Sequence, residues 1–222
     1  MRPYNPPAAP YLDVVYSDAQ LLVLDKPSGL LTVPGRDPAH KDSLASRAQA
    51  EYPDALIVHR LDMDTSGLVV MGRGKEVHRA LSTMFQNRQV DKSYIARVWG
   101  EPVEDEGTVD LPLICDWPNR PRQKVCFESG KPSQTRWQKL DSDGATSLLE
   151  LIPITGRSHQ LRVHMQAIGH PILGDPFYAH PEALAAAPRL LLHAQALVFE
   201  HPVLEKEIHF LCNPGEAFQV DR

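Results

Sequence analysis

Within the nine residues from His59 to Gly67 the chain collects an imidazole, a guanidinium, two carboxylates and two hydroxyls. Arg60, Asp62 and Asp64 alternate with Leu61 and Met63. Period-two alternation puts the three charged side chains on one face of a strand or extended loop. Such a face suits acid-rich chemistry, with a carboxylate as nucleophile or proton carrier. The same pattern also describes a solvated edge strand that ends in a Ser-Gly turn, and this segment alone does not separate the two.

A second dense segment runs from Leu151 to Met165 as an apolar strand, a Gly turn and a helical pattern. Leu161, His164, Met165 and Ile168 recur at helical spacing, Ser158 is placed as the N-cap, and Gly169 stands where a left-handed C-terminal cap belongs. Arg162 then lies on the border of the apolar stripe, where a partly desolvated guanidinium needs a carboxylate partner, and Asp62 is a candidate for it. An ordinary amphipathic helix with a snorkelling Arg162 reads the same way. The third segment, Lys92 to Gly100, has strand character, and its Tyr94 is either core or catalytic.

Taken in order, the runs His59-Arg60-Leu61-Asp62-x-x-Thr65-Ser66-Gly67, Lys92-x-Tyr94-x-Ala96 and Thr155-Gly156-Arg157-x-His159-Gln160-Leu161-Arg162-x-His164 resemble the RluA family of pseudouridine synthases. The likeness extends from about Tyr11 to about Pro214, taking in Lys26-Pro27-Ser28-Gly29-Leu30 and Leu191-Leu192-His193-Ala194. The run Leu113 to Val125 is a finer mark and is similar to the dual-specificity branch of that family, which modifies both tRNA and 23S rRNA. The resemblance implies an α+β fold, with a mixed, largely antiparallel sheet in two halves flanked by helices around a central RNA-binding cleft. It also implies a single catalytic domain at 11–214, with 1–10 and 215–222 as tails and no separate N-terminal RNA-binding module.

The reaction so implied is an isomerisation that needs no cofactor or metal. The uracil N1 to ribose C1′ bond breaks, the base turns, and C5 joins C1′. Asp62 is the implied nucleophile, attacking either C1′ or C6, and must be ionised. Burial opposes ionisation, and Arg162 is the implied counter-charge. Tyr94 would stack on the extracted base and relay the C5 proton, a task for which an ordinary phenol is a weak base. A paired or stacked uridine has to be flipped first. Arg60, whose planar guanidinium can replace a base in the stack, is the expected wedge; its alternative role is a salt bridge to Asp64. His59 and His193 are expected to be structural, and Asp64 has no assigned role. The implied substrates are uridine 32 of the tRNA anticodon stem-loop and uridine 746 of 23S rRNA.

Composition bounds these readings. The chain has 222 residues, 42% of them hydrophobic, and a formal charge of −5, with a pI near 6.0. That balance is unusual for an RNA-binding protein. Local distribution helps: between Asn119 and Lys139 the residues Arg120, Arg122, Lys124, Lys131, Arg136 and Lys139 face only Glu128, while acid collects from Glu101 to Asp110. Arg120, Arg122 and Lys124 are therefore the expected phosphate contacts. Three cysteines without paired spacing predict buried, reduced thiols. With no secretory leader or spanning run read from the residues, a cytoplasmic monomer that needs no membrane or protein partner is expected.

The elements that must position these residues read as strands at 12–16, 21–24 and 30–33, a turn at 26–29, a helix capped by Asp42 and running to Tyr52, and a helix from Lys75 to Asn87. Glu101 to Gly107 reads as a connection between the halves. Strands follow at 147–154, 189–200 and 207–212, with the Arg162 helix among them. Two rival functions stay open. Asp62 and Asp64, about 6.6 Å apart along an extended strand, suit an inverting glycosidase or nucleosidase, which would release free base or sugar. An RNA-binding or RNA-folding module would keep its function without Asp62.

Overall fold

Two compact units, each with its own hydrophobic core, make up the computed structural model, which describes residues 4–220. One unit comprises 4–92 with Ala194–Asn213, the other Ser93–His193 with 214–220. Residues 1–3 and 221–222, the outermost parts of the expected tails, lie outside the described residues. Among the described residues, no helix is long and apolar enough to cross a membrane.

In the first unit, β1 (Val14–Ser17) pairs antiparallel with β2 (Leu21–Lys26), and β2 pairs with β4 (Ser66–Arg73). The short β3 (Ala55–Ile57) also pairs with β4; β11 (Leu192–Glu200) lies on β4 and carries β12 (Glu207–Leu211). β2 and β4 are nearly continuous buried runs, the pattern of central strands covered on both faces. Val77, Leu81, Met84 and Phe85 on α2 (Lys75–Gln86) pack with Leu21, Val23, Leu68 and Val70, the helix the apolar periodicity predicts.

Two local expectations are corrected here. The segment 30–33 is no strand: the carbonyls of Leu31 and Thr32 accept the N–H groups of Leu44 and Ala45, the first donors of α1 (Leu44–Glu51). The cap of α1 is Ser43, whose side chain accepts from Ser46 N while its own N–H donates to Ser46 Oγ. Asp42 instead holds the buried Arg47 by two bonds of 2.8 and 2.7 Å. The expected N-terminal tail is docked where it is described, since Tyr4 Oη donates to Asp42 O and Pro7 O accepts from Arg47.

In the second unit, β5 (Asp91–Trp99, whose first two residues belong to the first unit) pairs antiparallel with β10 (Thr146–Pro153). β10 pairs with β9 (Gln134–Ser142), and β9 with β6 (Glu106–Asp110). A separate hairpin joins β7 (Leu113–Cys115) and β8 (Gln123–Val125). α3 (Gln160–Ala167) contributes Leu161 and Met165 to the core, and a short α4 (Pro181–Ala185) follows. At the C-terminal end Phe218 is buried against Ile95 and Leu191, so the described part of that expected tail is also docked.

The acidic stretch joins β5 to β6 inside this unit, rather than linking two halves, and its charge is not segregated. Lys139 on β9 pairs with Glu101 and Asp105 at 3.3 and 3.1 Å, and Thr108 of the acidic strand lies opposite Arg136. Pairing β6 with β9 brings together the acidic and basic stretches that the linear sequence keeps apart. The cysteines are free but only half-buried; burial and the neighbouring Asp25 carboxylate push the Cys212 thiol up to about 12.

Candidate active site

The loop carrying Asp62 is held mainly through its backbone. Lys26, fully buried, donates from Nζ to the carbonyls of Pro27, Leu30 and Met63 at 2.7 to 2.9 Å. Gly29 N also donates to Met63 O, Ser28 Oγ to Asp64 O, and Thr32 Oγ1 to Leu61 O. The run from Lys26 to Thr32 is thus a clamp that grips peptides on either side of Asp62. A buried ammonium among carbonyls supplies the donors that these peptides would lose on leaving water.

The loop has no regular structure from Val58 to Asp62 and turns at Met63 and Asp64. That turn breaks the expected common face: Arg60 is exposed, Asp62 half-buried, and Asp64 buried at 8% exposure. No salt bridge between Arg60 and Asp64 is found among the described residues. Gly67 follows with φ +110°, and a Cβ there would collide with the Ala194 carbonyl, so the close approach of β11 requires a residue without one.

His59 is structural, as expected. Its Nε2 accepts the N–H of Val70 at 3.0 Å and its ring stacks on Phe85 at 4.5 Å, an arrangement that only a neutral imidazole can make. Burial, aided by the charge of Lys92, lowers its pKa to about 3. His193, buried in the second unit, meets the Phe218 ring edge-on.

Tyr94 and Arg162 belong to the second unit. Tyr94 stands on β5 opposite Leu151, half-buried against the core that receives Leu161 and Met165 of α3. Arg162 is not at a stripe border but 2% exposed, because Gln160 to Met165 are all buried. Its Nε and Nη2 donate to the two carboxylate oxygens of Asp175 at 2.8 and 2.6 Å. Asp175 is fully buried and also accepts the N–H groups of Phe177 and Tyr178. The rings of Phe177 and Tyr178 each lie 5.2 Å from the guanidinium carbon. Helical periodicity could not have found Asp175, although one signal existed: it is the only acid between Glu150 and Glu182.

The rest of that motif anchors α3. His159, at φ 53°, replaces the expected Ser158 as N-cap residue and shares a 2.6 Å bond with the Tyr178 hydroxyl. Gln160 bonds Thr155, Thr135 and the Gln134 carbonyl; His164 bonds Thr135 and the Leu111 carbonyl and is kept neutral by burial. Gly169 ends the helix at φ +89°, as expected.

The expected phosphate contacts are exposed on the hairpin. Arg120 lies over the Trp117 ring at 4.3 Å, Arg122 near Phe177 at 5.8 Å, and Lys124 within 3.5 Å of Asp116.

Residues 20–167 match the family model described as RNA pseudouridylate synthase. The chain is 56% identical over 211 residues to the dual-specificity RNA pseudouridine synthase RluA of Escherichia coli K12, covering 95% of this chain and 96% of that one. It is 58% identical to the protein of the same name from Yersinia pestis, over 90% of this chain and 97% of the relative. Among solved structures it is similar to human RNA pseudouridylate synthase domain containing 1, with a TM-score of 0.77, 27% identity, and 94% and 86% of the two chains covered. Human RNA pseudouridylate synthase domain containing 4 superimposes with a TM-score of 0.74 at 27% identity, over 93% and 90% of the chains. With its motif loops built as described and this likeness running nearly end to end, the chain belongs to the RNA pseudouridylate synthase family and is an isomerase acting on RNA uridines.

Proposed function

We propose that residues 11–214 act as one catalytic domain that converts uridine 32 of the tRNA anticodon stem-loop and uridine 746 of 23S rRNA to pseudouridine, in the cytoplasm and as a monomer. The observation that carries the reading is the Asp62 loop, whose peptides are gripped on both sides of the carboxylate. Such a loop presents a nucleophile in one geometry, which is what a covalent step requires. The likeness to a dual-specificity relative over nearly the whole chain supports the choice of the two RNAs.

In this mechanism Asp62 attacks the flipped nucleotide at C1′ or at C6, and the N1–C1′ bond breaks. The uracil turns, C5 bonds C1′, the covalent bond to Asp62 breaks and frees the carboxylate, and the proton on C5 leaves for solvent through Tyr94 while N1 gains one. Nothing is oxidised or lost. Arg162 supplies the counter-charge that keeps the nucleophile ionised, and Asp175 keeps that guanidinium in place. Arg60, exposed at the start of the loop, takes the place of the extracted base. Arg120, Arg122 and Lys124 contact phosphates.

The test is incubation of the purified chain with the two stem-loops, followed by mapping of pseudouridine and assay of free uracil. Product is expected at both positions without uracil release, and Asp62→Asn should yield none while still binding RNA. Residual activity of Asp62→Asn within about tenfold of the parent, a barrier change of only about 1.4 kcal/mol, would remove Asp62 as nucleophile. Product on one RNA alone would reduce the reading to a single substrate.

A further inference from the structure

The tip of the hairpin between β7 and β8 holds a large aromatic side chain where the hydrophobic effect would not put one. Trp117 opens a single 3-10 turn, Trp117–Asn119, and is 66% exposed. The tip is a fixed loop: Asp116 N donates to Arg122 O, Asn119 N to Asp116 O, and Arg122 N to Asn119 O, at 2.9 to 3.0 Å. Asn119 Nδ2 adds a bond to the Asp116 carboxylate at 2.8 Å. The base of the hairpin is equally fixed, because Leu113 and Val125 pack with Val163, Phe177 and Tyr178, and Gln123 N donates to Tyr178 Oη at 2.8 Å. The indole is therefore presented by a rigid arm of the second unit.

Its surroundings say what it is presented to. Arg120 lies over the ring at 4.3 Å, and an indole that remains 66% exposed with one face so covered keeps its other face in solvent. Arg122 and Lys124 follow on the same hairpin, and the one acid in the tip, Asp116, lies within 3.5 Å of Lys124. An exposed π-face backed by a cation, on a hairpin that carries two more, suits an anionic partner with planar rings. An apolar protein surface would supply no counter-charge to Arg120 or Arg122.

We propose that Trp117 is a stacking platform for an unpaired nucleobase in the loop of the RNA substrate, with Arg120 closing the opposite face. The proposal rests on the RNA pseudouridine synthase reading and adds a recognition contact to it. Stacking on an aromatic tolerates any base, because every base has a π-face, so such a platform selects a splayed loop by shape and serves more than one RNA.

The test measures binding of the anticodon stem-loop to a Trp99→Phe/Trp137→Phe chain, in which Trp117 is the sole indole. RNA should quench its fluorescence, since a stacked base contacts the ring directly. Trp117→Ala in the parent chain should weaken binding about tenfold or more, while Trp117→Phe, which keeps a π-face, recovers most of the affinity. The slope of log Kd against log salt should be the same for Trp117→Ala and the parent, because no phosphate contact is lost, whereas Arg122→Ala should weaken binding and flatten that slope. Unquenched fluorescence at saturating RNA, unchanged affinity of Trp117→Ala, or failure of Trp117→Phe to rescue overturns the platform. Parent protein that forms pseudouridine on the same RNA while Trp117→Ala binds normally overturns the platform alone. A parent that forms none overturns the enzymatic reading and the platform with it.

Discussion

Arg162 and Asp175 form the most fully buried ion pair described in the second unit, with side chains 2% and 0% exposed. Two charges so far from water hold together because each satisfies the other, so removing one leaves the other uncompensated at a cost of about 3 to 5 kcal/mol. Asp175→Ala is expected to lower unfolding stability by that order and to reduce pseudouridine formation beyond what the loss of folded protein explains. A urea midpoint equal to that of the parent would show that Arg162 does not depend on this partner. Arg162→Lys should not rescue activity, because an ammonium cannot reproduce the two-point contact with the carboxylate. Arg60 is a different case, exposed and acting only when stacking must be replaced. Arg60→Ala should slow modification of a structured stem-loop by roughly a hundredfold and of an RNA with a pre-unstacked target uridine far less. Single-turnover rates on the paired substrates check this, and equal losses would assign Arg60 to the local fold.

At the scale of elements, the clamp from Lys26 to Thr32 positions the catalytic loop without touching the reacting atoms. Lys26→Met removes a donor from three carbonyls; Met63 O keeps the N–H of Gly29, while those of Pro27 and Leu30 each cost about 1 kcal/mol or more when left unpaired. Both the urea midpoint and the rate at saturating RNA should fall, and an unchanged rate would dismiss the clamp as a positioning device. Gly67→Ala tests the other end of the loop. A methyl group would collide with the Ala194 carbonyl in a backbone conformation that side chains rarely adopt, so a loss of at least about 1 to 3 kcal/mol is expected. A melting temperature within a degree of the parent would contradict that packing.

For the molecule as a whole, buried neutral histidines make stability depend on pH. The His59 imidazole has its pKa lowered from 6.5 to about 3 in the fold, so the unfolded chain binds the extra proton first as pH drops. Its contribution is complete above about pH 6.5 and is lost progressively as pH falls toward 3. His164 acts in the same direction. Asp18 and Asp42, held below the ordinary carboxylate range by their hydrogen bonds and by Arg47 beside Asp42, add their losses at lower pH. Urea midpoints should therefore fall between pH 7 and 5, and His59→Gln should flatten that fall. An identical fall in His59→Gln would show that His59 does not carry it.

The spacing of residues along the chain determined the family, the amphipathic helix α2, the strands β2, β5, β10 and β11 and the reaction, because these depend on local periodicity and on motifs a few residues long; the buried strand β4 was not read from it. The clamp run was visible as a motif, but not as a clamp, since its bonds join Lys26 to Met63 and Thr32 to Leu61 across distances no local pattern encodes. Ser43 rather than Asp42 caps α1 because Arg47 competes for the aspartate, a choice made by burial. Tertiary structure alone decided three further points. Asp64 is buried while Arg60 stays exposed; Asp175 pairs with Arg162; and Glu101 and Asp105, ahead of β6, pair with Lys139 on β9 and cancel part of the basic patch, leaving the hairpin cations exposed. The last two are pairings of charges well apart in sequence, and all three are settled by which groups fold out of water, which is information a linear pattern does not contain.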